Sequence, residues 1–319
     1  MSSAVALLVL GMHRSGTSAV TGALQLLGVE LGNRLAAGHA GINDLGYFEH
    51  VEILDLHDAL LADLGSVWDD VRPLAESWWT SKIAQKHAEM IFATLQRDFA
   101  AAPFWGVKDP RLCRLVPLWH QILARLGLRP VFLLMLRRPD EVAGSLARRD
   151  GMGREKASQL WLEHTLAAER WSRGYPRAFV TYDQLLAAPP ETLAGAAREL
   201  GLAWPKDPEA ICGRLRNFLS PEYQREKAES LTKPSDGPAA TLAFEIWSRL
   251  SSAGVSGPDI AMLDGLQQLY RQHLDHRDPA LLEHLSDTMR IRLDQQRQLA
   301  EIRNSLAWKI ARRLAKVLP

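Results

Sequence analysis

A continuous apolar run, Val5-Ala6-Leu7-Leu8-Val9-Leu10, leads straight into Gly11-Met12-His13-Arg14-Ser15-Gly16-Thr17-Ser18, and few folds accept such a junction. A short apolar run without alternation suits a strand buried on both faces of a parallel sheet. Past the loop, Ala19, Val20, Ala23, Leu24 and Leu27 recur at helical spacing until Gly28 supplies a stop. The reading is strand, glycine-bearing loop, helix. Backbone N–H groups of such a loop and the N-terminus of the next helix form a concave anion site, because unpaired donors and the helix dipole converge there. A phosphate is the expected guest.

The same grammar repeats along the chain. Pro130 to Leu136 reads as a second buried strand, followed by a helix from Asp140 to Arg149 with Pro139 at its start. Ala178 to Tyr182 is a third short strand, followed by a helix from Glu191 to Leu200 closed by Gly201. Leu74 to Phe99 and Lys156 to Trp171 read as helices. Strands alternating with helices predict an α/β fold, a P-loop-like parallel sheet flanked by helices. A turn cluster at Lys233-Pro234-Ser235-Asp236-Gly237-Pro238 marks a linker. The expected organisation is an α/β domain over 1–232, a linker over 233–240 and a helical extension over 241–319 ending in a basic amphipathic tail.

The loop has the Gly-x4-Gly spacing of a Walker A motif, yet Thr17 stands where a nucleoside-triphosphate loop carries its lysine. Without that lysine and an evident strand-end Asp for magnesium, triphosphate hydrolysis lacks its usual parts. Arg14 supplies a cation inside the loop instead. His13-Arg14-Ser15-Gly16-Thr17-Ser18 resembles the 5′-phosphosulfate loop of sulfotransferases that use 3′-phosphoadenosine 5′-phosphosulfate, PAPS. The resemblance implies that these six residues hold the 5′ end of the co-substrate. Arg137 at a strand end and Ser145 eight positions on match the family's 3′-phosphate pair. Arg also suits phosphate on its own chemistry, since its fork binds two oxygens at once. Lys108-Asp109-Pro110 resembles the segment that places a Lys beside the bridging oxygen, so the resemblance gives Lys108 and Arg14 the charge at the transferring group. Arg111 either assists or pairs with Asp109. Tyr182, in Val180-Thr181-Tyr182-Asp183-Gln184, matches the tyrosine that stacks on adenine.

Sulfuryl transfer to a hydroxyl needs a group to take the acceptor's proton. The Lys-Thr-His pattern of the His-using members is absent, and Gly46-Tyr47-Phe48-Glu49 resembles the segment carrying a Glu in bacterial members. Glu49 is the expected base, with Asp109 and His50 as rivals, His50 turned away by strand alternation. The family's late Arg-Lys-Gly segment is missing, and Arg225 or Lys227 would have to replace it. The scheme needs no metal, and the ten histidines offer no metal-ligand spacing, His273 and His276 lacking a third partner in sequence.

Composition sets the remaining bounds. The 319 residues carry a formal net charge of +1, which argues against a protein whose main business is coating nucleic acid or anionic lipid and leaves local basic patches open. Cys113 and Cys212 make neither a disulfide framework nor a cysteine zinc site, and a reducing cytoplasm is expected. No stretch approaches a membrane span, and the apolar start lacks the basic flank of a signal peptide. The expected acceptor is a carbohydrate or glycolipid hydroxyl, by resemblance to bacterial members, with Trp68, Trp78 and Trp79 as aromatic surface for it or as core. Two other readings remain: a small-molecule kinase using ATP and magnesium, and a noncatalytic nucleotide-binding scaffold. The tail from Ser305 to Leu314 reads either as an interfacial helix at the inner face of the membrane or as a packing helix.

Overall fold

The computed structural model describes residues 4–38, 46–220, 237–276 and 278–304. In chain order the elements are β1 (Val5–Leu10), α1 (Thr17–Leu26), α2 (Val51–Asp63), a 3-10 turn (Trp78–Thr80), α3 (Lys82–Phe99), β2 (Phe104–Lys108), α4 (Leu112–Arg125), β3 (Pro130–Leu136) and α5 (Pro139–Asp150). Then follow α6 (Arg154–Trp171), β4 (Arg177–Thr181), α7 (Tyr182–Ala187), α8 (Pro189–Leu200), α9 (Cys212–Phe218), α10 (Pro238–Ser252), α11 (Ile260–Asp275) and α12 (Pro279–Asn304). Arg225, Lys227 and the basic segment 305–319 lie outside the described residues.

The four strands form a parallel sheet in the order β2-β1-β3-β4, with helices on both faces. This is the predicted α/β architecture. Alternation along each strand splits the core in two. Ala6, Leu8 and Leu10 of β1, with Phe132, Leu134 and Leu136 of β3, bury against α2, α3, α4, α6, α10 and α11. Leu7 and Val9, with Leu133 and Met135, bury against α1 and α8. Ala239, Ala243, Ile246 and Leu250 of α10, and Leu263 and Leu266 of α11, belong to the first of these clusters.

Two predicted elements are corrected. The expected helix from Leu74 begins only at Lys82, because the Ser81 hydroxyl caps it by accepting from the Ala84 N–H, and Ser77 at φ 56° turns the chain before it. The last strand ends at Thr181 rather than Tyr182, because Thr181 and Gln184 form a capping box that starts α7 at Tyr182. Among the described residues no helix is long and apolar enough to cross a membrane.

The chain runs from β1 to β2 on one side, then to β3 on the other. Open sheets bind ligands beyond the carboxyl ends of their strands at such a reversal. Register places Val9 beside Lys108, Leu10 beside Leu134 and Leu136 beside Thr181. The segments after β1, β2, β3 and β4 therefore leave the sheet at one edge.

Candidate functional site

The loop after β1 owes its shape to local backbone chemistry. Gly16, the N-cap of α1, has φ 87°, where a side chain is strained. A Cβ there would also lie 2.4 Å from Tyr182 Cδ2, so the tyrosine ring packs directly on the glycine. Arg14 adopts φ 68° within the same loop. Its Nε donates to Ser145 Oγ on α5 at 2.9 Å, and Arg137 Nη1 donates to the Arg14 carbonyl at 3.2 Å. Arg137 is held from below by Glu141, one turn on, with Nε to Oε2 at 2.7 Å. Its guanidinium lies over the Tyr182 ring, 4.6 Å from the centroid. Burial pushes the Tyr182 phenol above its ordinary value against the pull of Arg137. Arg14, Gly16, Arg137, Ser145 and Tyr182 thus form one contiguous group from four separate segments.

Ser15 is buried, and its Oγ has no hydrogen-bond partner among the described residues. Thr17, also buried, opens α1. The Ser18 hydroxyl donates to the Tyr47 carbonyl at 3.3 Å and accepts from Lys108 Nζ at 3.3 Å. The His13 ring packs on Trp68, centroids 4.5 Å apart, with His164 of α6 at 6.3 Å. Burial, then the Arg111 charge, lowers the His13 imidazole well below its ordinary value.

Lys108, the last residue of β2, is buried and donates from Nζ to Glu49 Oε1 at 2.6 Å. Burial pushes the Glu49 carboxyl up and the Lys108 ammonium down from their ordinary values, each opposed by the partner's charge. Glu49 immediately precedes His50, the N-cap of α2, and Phe48 before it holds φ 57°.

Both rival bases are engaged by other partners. Asp109 accepts from His57 Nδ1 at 2.7 Å, from the Arg111 N–H at 3.0 Å and from Arg111 Nη1 at 2.9 Å. Burial would raise its carboxyl, but Arg111 and His57 hold it well below the usual carboxylate range. His50 uses Nδ1 to accept from the Ile53 N–H at 3.5 Å and places Nε2 3.0 Å from Asp98 Oδ2. It is turned aside as the cap of a helix, a different cause from the strand alternation expected. Arg138, next to Arg137, is buried, pairs with Asp140 and lies over Phe244 and Trp247 of α10. Trp78 is buried, and Trp79 packs edge-on against Trp78 and Trp171, whereas Trp68 packs against both the His13 ring and the Arg149 guanidinium.

Sequence reasoning passed over His57, Asp58 and Trp119. Arg111 Nε and Nη2 bind both oxygens of Asp58, at 2.5 and 3.0 Å, and Trp119 Nε1 donates to His57 Nε2 at 2.9 Å. No local pattern marks these residues, which meet only when α2 and α4 pack beside the exit of β2. Among the described residues no group of three or more His, Cys, Asp or Glu side chains could hold a metal ion.

No protein-family model matches the chain, and no curated protein matches it. Among solved structures it is similar to the sulfotransferase domain from the Synechococcus PCC 7002 olefin synthase, at 16% identity and TM-score 0.45, over 77% of this chain and 95% of that one. It is similar to the sulfotransferase domain from the curacin biosynthetic pathway at 13% identity and TM-score 0.43, over 78% of this chain and 98% of that one. A third similarity is to retinol dehydratase in complex with androsterone and the inactive cofactor PAP, at 15% identity and TM-score 0.34, over 86% and 83% of the two chains.

Proposed function

We propose that this chain transfers a sulfuryl group from PAPS to an acceptor hydroxyl. The observation that carries the reading is the joining of two half-sites across the sheet edge. On one side Arg14, Arg137 and Ser145 gather cations and a hydroxyl beside the Tyr182 ring. On the other, Ser18 links the same loop to the Lys108–Glu49 pair. A nucleotide with phosphates at both ends of its ribose suits the first side, with Arg137 and Ser145 assigned to the 3′-phosphate and Tyr182 to the adenine. The loop amides, Thr17, Ser18 and the unpartnered Ser15 hydroxyl suit the 5′-phosphate. His13 stands further from this group, and its proposed share in binding is through its backbone.

In the proposed reaction the acceptor oxygen bonds to sulfur as the bond from sulfur to the bridging oxygen breaks. Glu49 takes the acceptor proton, and its raised carboxyl suits a base working near neutral pH. Lys108 and Arg14 neutralise the charge that grows on the leaving phosphate. The kinase reading gains nothing here, since Thr17 opens α1 where a lysine would be needed.

We propose a carbohydrate hydroxyl as acceptor. Trp68 beside the loop offers the kind of aromatic face on which polyhydroxylated ligands stack. Incubation with sulfur-labelled PAPS and a panel of oligosaccharides, steroids and phenols tests both levels. Label on a sugar supports the full reading, label on a phenol or steroid overturns the acceptor class, and no PAPS binding overturns the function.

A further inference from the structure

We infer that Arg111 is a positioning residue: its guanidinium bridges Asp109 at the exit of β2 to Asp58 on α2, and so fixes Glu49 relative to Lys108. The inference rests on the proposed function and assigns the device that keeps its base in place.

Glu49 sits outside any regular element, one residue before the cap of α2. Its backbone is tied to the segment before it, the Ala36 N–H donating to the Glu49 carbonyl at 2.7 Å, and its distance from the end of β2 follows from where α2 lies. The hydrogen bond to Lys108 is one tether, but it must be given up when Lys108 turns to the leaving phosphate. Beside the backbone bond to Ala36, the contact that ties this region to the end of β2 is the one between α2 and the Asp109–Arg111 turn. There Arg111 spends Nε and Nη2 on the two oxygens of Asp58 and Nη1 on Asp109 Oδ1. A planar fork can serve two carboxylates in fixed directions, and a lysine ammonium cannot.

Asp109 is equally constrained. The Trp119 indole can only donate, so Nε2 of His57 accepts and Nδ1 carries the proton that bonds Asp109 Oδ2 at 2.7 Å. Trp119 belongs to α4, so three elements converge on one carboxylate. Buried ionic networks of this kind are poor sources of net stability, because desolvation offsets the attraction. They do fix geometry, and here the fixed quantity is the approach of α2 to the end of β2, hence of Glu49 to Lys108.

The test compares the full chain with Arg111→Lys and with Asp58→Asn, the latter at a half-exposed position that leaves the core untouched. Calorimetric titration with adenosine 3′,5′-bisphosphate reads nucleotide binding, and sulfate release from PAPS with water as acceptor reads the transfer step. Both variants are expected to bind the nucleotide as the parent does and to release sulfate about tenfold to a hundredfold more slowly, the cost of a base misplaced by about 1 Å. Crystals of the parent and of Arg111→Lys soaked with the same nucleotide give the position directly, and the Glu49 carboxyl should lie displaced relative to the end of β2 in the variant. Unchanged Glu49 placement, unchanged sulfate release, or affinity and rate falling together would overturn the inference. Failure of the parent chain to bind the nucleotide would overturn the proposed function instead.

Discussion

Lys108 Nζ stands 2.6 Å from Glu49 Oε1, in a site where both side chains are buried. In the proposed reaction these groups part, the cation going to the nucleotide and the carboxyl to the acceptor. A buried carboxyl that loses its ammonium partner while an anion arrives nearby is driven to take a proton. Adenosine 3′,5′-bisphosphate is the nucleotide left after transfer, when Glu49 holds the acceptor's proton, so its binding should take up a proton, seen as heats that change between two buffers of different ionisation enthalpy at the same pH. Glu49→Gln should remove that dependence, keep nucleotide affinity and lower turnover by about 10²-fold or more. Heats that are independent of buffer in the parent chain would contradict this.

Gly16 carries two demands at once, a left-handed φ and contact with the Tyr182 ring. Gly16→Ala should cost about 1–3 kcal/mol of stability in urea unfolding, from strain and the clash together. In a Tyr182→Ala background the cost should shrink, since the Cβ then meets no ring. Equal costs in the two backgrounds would show that the ring does not press on the loop.

His164 lies fully buried on α6, with Nδ1 donating to the Leu160 carbonyl at 2.8 Å. Burial, reinforced by the Arg114 charge, pushes its imidazole from 6.5 down to about 3. The unfolded chain takes a proton as pH falls through 6.5 while the native chain does not, so the unfolded state binds more protons over this window. Stability contributed by the neutral ring is present above pH 6.5 and is lost as pH falls towards 3. Between pH 6.5 and pH 5 the loss is on the order of 2 kcal/mol. His164→Asn keeps a donor for the carbonyl and removes the titration, so its urea midpoints at the two pH values should lie closer together than the parent's. An identical pH slope would contradict the assignment.

The sequence is most informative where strands are buried on both faces. Val5–Leu10 and Pro130–Leu136 run apolar without alternation, and the structure starts and stops both strands where those runs do. The loop residues were legible because glycines, hydroxyls and a cation coincide after such a run. α4 was not read as a helix because Pro117 sits inside it, although Arg114, Gln121 and Arg125 recur at helical spacing opposite an apolar face. α2 was passed over, and with it the true setting of Glu49 and His50 at a helix start. The His57–Asp109 bond joins positions 52 apart, and no local pattern encodes a contact made only by packing.

The central claim is that one site, built on Arg14, Arg137, Ser145 and Tyr182, holds a doubly phosphorylated adenosine. Calorimetric titration of the full chain and of Arg137→Ala with adenosine 3′,5′-bisphosphate tests it most directly. The account predicts one bound nucleotide in the parent, and affinity at least tenfold weaker in the variant, about 1.4 kcal/mol or more for a charged hydrogen-bond donor removed from a phosphate. No binding by the parent, or equal affinity in the two proteins, would contradict it.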